Sequence, residues 1–143
     1  MTDGWAGFRA TPKPLIGVSV EETTRVFSSP LPVAQLIGLL TTAAGLTSWL
    51  GEVGNLKLGV GAKAKVAFED RSIEILFTCL DFPGHIVFMN EELGELDFKL
   101  TESKSGSKAN AVIRRAVRPE EQSAWANSAS QILERFERVA TDG

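Results

Sequence analysis

Few side chains in this sequence could do chemistry. There is one histidine, His85, and one cysteine, Cys79, among 143 residues. A Ser–His–Asp triad would have to use His85. That residue follows Pro83-Gly84 at the start of an alternating run and reads as a turn or surface histidine. Cys79 alternates with Ile75 and Phe77, the pattern of a small core residue and not of a nucleophile. One His and one Cys cannot build a zinc-ligand cluster, so no metal and no catalytic residue is assigned. Gly54 and Gly59 have phosphate-loop spacing, but Val60 and Gly61 stand where Lys and Ser or Thr must follow. The segment also opens no helix that could face a phosphate, so no nucleotide or other cofactor is expected. Glu91-Glu92, Asp81 and Asp97 fall on loops, a turn and an expected solvent face, and they assemble no acid–base pair.

The strongest remaining signal is apolar. Trp49, Phe68, Phe77, Phe88, Phe98 and Trp125, with Ile132, are expected to line a shared volume, the alternative being a filled core. Small-molecule sites have such walls, with a few placed polar groups. Trp49 is expected at the rim and partly exposed, and Trp125 buried against the sheet. Arg115 is the polar candidate. On the last strand Ala109, Ala111, Ile113 and Val117 form the cleaner apolar set, and period two puts Arg115 among them. Turned inward, Arg115 needs an acidic neighbour or a ligand's carboxylate or phosphate. Near the sheet's end it snorkels to water instead.

The elements that must position these residues are legible from period and punctuation. Residues 1–18 carry Gly4, Gly7, Pro12, Pro14 and Gly17 without periodicity and read as an extended arm, with Trp5 and Phe8 packing on the domain or on a partner. A strand follows from Ser19 to Phe27. Ser29-Pro30 is then a reasonable N-cap and first helical position, and Val33, Leu36, Ile37 and Leu40 share one helical face. Thr41 or Thr42 caps a second short helix ending at Trp49-Leu50. Leu56 and Leu58 suggest a short strand. Alternation with period two then marks strands from Ala62 to Glu69, Ile73 to Leu80, His85 to Asn90, Leu93 to Thr101 and Ala109 to Val117, joined by short turns. Pro119-Glu120-Glu121 opens a last helix, where Trp125, Ala129, Ile132, Phe136 and Val139 make one apolar stripe. The fold class is α+β: a curved antiparallel sheet wrapped around a long C-terminal helix, with two short helices after the first strand. Residues 19–140 form the single expected domain.

Composition narrows the partners. Fifteen basic and eighteen acidic residues give a net charge of −3 with the signs interleaved, so no basic stripe addresses nucleic acid. No run approaches the roughly 18 apolar residues of a membrane span. The start of the chain lacks a secretory apolar region, and a single cysteine fits a reducing compartment, so a cytoplasmic location is expected.

Phe27-Ser28-Ser29-Pro30, the helix through Leu40, Trp49-Leu50, Leu56-x-Leu58-Gly59, Phe88 after Pro83, and Trp125 in the final helix occur in a telling order. In that order the chain resembles bacterial homologues of the activator of the ninety-kilodalton heat-shock protein's ATPase, within the START-like or SRPBCC superfamily. The resemblance covers about Ser19 to Ala140. It implies a helix-grip fold with a hydrophobic cavity between sheet and C-terminal helix, in a group that includes lipid binders, small-molecule binders and polyketide cyclases. Asn90 stands where many relatives carry an aromatic, which implies a smaller or more polar wall there. The chain leaves no room for the separate N-terminal domain of the eukaryotic activators, so their co-chaperone activity is not carried over.

Three functions follow as expectations. The first is non-enzymatic binding of a small apolar or amphipathic molecule in the cavity. The second is a cyclase or hydrolase in the same cavity, and the third a protein-interaction module with a filled core, engaging a chaperone-related partner or a second copy.

Overall fold

A computed structural model describes residues 17–82 and 84–142. Residues 1–16 of the expected arm, with Trp5 and Phe8, lie outside the described residues. Strand β1 spans Ser19–Ser29, followed by helices α1 (Val33–Thr41) and α2 (Ala43–Trp49). Six further strands follow: β2 (Glu52–Val53), β3 (Lys63–Phe68), β4 (Arg71–Asp81), β5 (His85–Asn90), β6 (Gly94–Ser103) and β7 (Gly106–Val117). Helix α3 closes the fold at Pro119–Asp142. Among the described residues the sheet has seven strands in the order β1-β7-β6-β5-β4-β3-β2, and every neighbouring pair is antiparallel. This is the expected α+β helix-grip architecture.

Alternation divides the sheet into two faces. Ala64, Val66 and Phe68 of β3, Ile73, Ile75 and Phe77 of β4, Leu96, Phe98 and Leu100 of β6, and Ala109, Ala111 and Ile113 of β7 are all buried on the inner face. The small alanines of β7 leave space for α3, which lays Trp125, Ala129, Ile132, Leu133, Phe136 and Ala140 onto the sheet. Arg25 of β1 meets Glu137 of α3 at 3.0 Å and fastens the helix to the edge strand.

Three local expectations change, and one choice between two caps resolves. Helix α1 begins at Val33 with Pro32 at its N-cap, so Ser29-Pro30 does not start it. The buried Ser29 hydroxyl instead donates to the Ala140 carbonyl (2.5 Å) and accepts from the Leu31 N–H (3.0 Å), pinning the corner after β1 to the end of α3. Leu56 and Leu58 form no strand, and β2 is the nearer pair Glu52–Val53, which reaches β3. Glycines on both sides (Gly54, Gly59, Gly61) weaken the intervening leucines' hold on an extended ladder. Thr42 is the residue that caps α2, its hydroxyl accepting from the Gly45 N–H at 2.9 Å.

The third change concerns phase. Phe77 pairs with Phe88, but the next pair is Cys79 with Val87, so Thr78 is an extra residue in a β-bulge. Downstream of it the period-two assignment of β4 inverts. Cys79 therefore leaves the core face and lies, partly exposed, on the outer face with Val87.

Candidate functional site

Between the inner face and α3, where a ligand volume was expected, aromatic rings meet one another. Phe77 and Phe88 are 5.5 Å apart by ring centroid, Phe88 and Phe98 5.7 Å, and Phe98 and Phe136 5.0 Å. Trp49 closes the group at 5.0 Å from Phe136 and 5.8 Å from Phe98. Phe27 extends it at 5.8 Å from Phe136. Edge-to-face and offset contacts at these separations are favourable ring geometries. Thus four of the residues expected to line a ligand volume, Trp49, Phe77, Phe88 and Phe98, come together, joined by Phe136 of the α3 stripe.

Trp49 is not at a rim. It is 3% exposed, and its indole N–H donates to the Leu39 carbonyl at 2.8 Å. The reason is the tight α1–α2 corner, which turns the last residue of α2 inward. Phe68 is buried apart from the stack, beneath the guanidinium groups of Arg71 (5.3 Å) and Arg135 (5.9 Å). Ile132 is buried under α3. Asn90 is a turn staple: its side chain donates to the Glu74 carbonyl and accepts from the N–H groups of Glu92 and Leu93, each at 2.8 Å. Its polarity therefore serves the β5–β6 turn.

Trp125 and Arg115 meet at the other end of the fold. Trp125 is buried as expected, and its indole N–H donates to the Leu93 carbonyl at 2.9 Å. Arg115 is partly exposed and lines, with Trp125, Leu93, Glu120, Glu121 and Ser128, a surface groove of about 350 Å³. Among the described residues it forms no salt bridge. A larger concavity of about 560 Å³ opens on the outer face, between Lys63, Glu74, Leu76, Met89 and the Glu91-Glu92 turn.

The outer face also carries a polar chain that alternation alone could not reveal. Cys79 Sγ lies 3.8 Å from His85 Nδ1, and His85 Nε2 lies 2.8 Å from Asp97 Oδ1. The other Asp97 oxygen accepts from Arg114 at 3.1 Å. Arg114 also donates to Glu95 and, at 3.1 Å, to Glu22. The hydrogen bond that Arg114 donates to Glu95 dominates, and with those to Asp97 and Glu22 it raises the guanidinium above its already high pKa against the opposing cost of burial. The visible signal was the spacing of three from Phe77 to Leu80, which breaks a run of twos. Among the described residues, no three His, Cys, Asp or Glu side chains gather as a metal site. No helix among them is long and apolar enough to cross a membrane.

No protein-family model matches the sequence, and no curated protein matches it. Solved structures do share its fold. A solution structure of a Bacillus halodurans protein has a TM-score of 0.70 at 16% identity, covering 84% of this chain and 96% of its own. A crystal structure of a Mesorhizobium loti protein reaches 0.69 at 14% identity, covering 82% of this chain and 95% of its own. The solution structure of an Aha1 dimer from Colwellia psychrerythraea reaches 0.65 at 14% identity, covering 84% of this chain and 96% of its own. At these identities the likeness is one of fold.

Proposed function

We propose that this chain is a non-enzymatic interaction module with a packed interior, engaging a protein partner or a second copy through its surface. The observation that carries this reading is the continuous stack from Phe77 to Phe27, which occupies the space between sheet and helix. An apolar guest there would have to displace rings already in contact, and close-packed interiors resist such displacement. Native mass spectrometry of freshly purified protein tests it. The expected result is the bare chain or its homo-oligomer; a copurified apolar molecule whose removal lowers the melting temperature would overturn it.

One observation favours a second reading, a small amphipathic acid bound at the surface. Arg115, Leu93 and Trp125 place a cation and an apolar wall in one groove, although Glu120 and Glu121 share it. Fluorescence of a variant keeping only Trp125 should then respond to decanoate more than to decanol. Arg115→Met should abolish that preference.

A further inference from the structure

The bulge at Thr78 brings the chain's only cysteine beside its only histidine, on a face that α3 does not cover. We infer that Cys79 is a covalent modification site, a thiol activated by His85 for reaction with small disulfides. The inference is independent of the interaction reading above.

The hydrogen bonds fix the roles. A carboxylate can only accept, so the 2.8 Å contact requires His85 Nε2 to carry its proton and donate it to Asp97. In the neutral ring Nδ1 is then unprotonated, and its lone pair is the atom 3.8 Å from Cys79 Sγ. The thiol has a second acceptor, the His85 carbonyl at 3.7 Å, but only the ring nitrogen can take the proton away. Asp97 is itself held by Arg114 and is only 12% exposed, so the imidazole has a fixed orientation. The other charged residues paired with His85 are Asp81 on β4 and Lys99 on β6; Glu95 and Arg114 lie further along the same face. A thiolate beside an imidazolium is the arrangement that makes cysteines nucleophilic.

The reaction balances as thiol–disulfide exchange. The Sγ proton passes to His85 Nδ1, and Sγ attacks one sulfur of the disulfide. The new S–S bond forms as the old one breaks, and the departing thiolate recovers the proton from the imidazolium. Cys79 is oxidised to a mixed disulfide, and half of the reagent is reduced to a thiol; excess small thiol reverses the step.

The test uses bis(2-hydroxyethyl) disulfide, which is uncharged, and intact mass, which is unambiguous because the chain has one cysteine. At about pH 6 the native protein should be modified about tenfold faster than the same protein unfolded in urea. His85→Gln should remove the advantage while leaving the melting temperature close to that of the unaltered protein. Asp97→Asn should reduce it in part, because an amide can donate to the ring and release the tautomer. A native rate at or below the unfolded rate would overturn the inference without any variant. A native-to-unfolded ratio that survives His85→Gln would overturn it equally.

Discussion

At the scale of single residues, Trp125 combines two jobs that can be separated. Its ring is buried against the sheet and its N–H satisfies the Leu93 carbonyl. Trp125→Ala should cost about 3–5 kcal/mol in urea titration, the range for deleting a buried large aromatic. Trp125→Phe keeps most of the ring and should cost only about 1–3 kcal/mol, mostly from the orphaned carbonyl. Equal losses from both variants would mean that the hydrogen bond dominates. Arg114 behaves differently, because it is itself partly solvated, as are two of its partners, Glu22 and Glu95. Its pKa is raised on folding, so its contribution is fully present below the unfolded value and is lost only at more alkaline pH still. Salt is therefore the useful variable. Arg114→Met should cost about 1 kcal/mol at low ionic strength, and the difference should shrink as salt is added.

At the scale of elements, the α1–α2 corner depends on one close approach. A Cβ on Gly45 would collide with the Gly38 carbonyl and the Leu39 backbone, whereas a Cβ on Gly38 would meet nothing within 4 Å. Gly45→Ala should therefore lower stability by about 1–3 kcal/mol by forcing the helices apart. Gly38→Ala should be neutral or raise it by up to about 1 kcal/mol, through helix propensity alone. Melting curves of the two variants check the contrast. The same scale shows why parts of the fold were legible and others were not. Ala64, Val66 and Phe68, or Leu96, Phe98 and Leu100, alternate without interruption, and one buried face follows from that. One inserted residue at Thr78 inverted the face of Cys79, because a bulge has no propensity signature stronger than a missed beat. Ser29 misled in another way: its hydroxyl suits a cap, but its partner is more than a hundred residues away at Ala140, beyond any local rule. The ring set was likewise visible in composition, while its packing against itself depended on Phe136 and on the inward turn of Trp49.

At the scale of the whole molecule, a packed interior predicts how the protein answers small apolar molecules. Indole should leave the melting temperature of the unaltered protein unchanged. Trp49→Ala should be destabilised by about 3–5 kcal/mol, and indole should restore part of that loss by filling the space the side chain left. Stabilisation of the unaltered protein by indole would show room between the rings. The sheet order carries a kinetic consequence as well. Among the described residues β1 hydrogen-bonds only to β7, with Ser19 opposite Val117. During synthesis β1 thus emerges before the other described strands, yet it has no neighbour among them until β7 has been made. Through that interval Val20, Val26 and Phe27 have no ladder to join, and closing so long a loop is slow. The waiting strand is where this chain is most open to pairing with the wrong molecule.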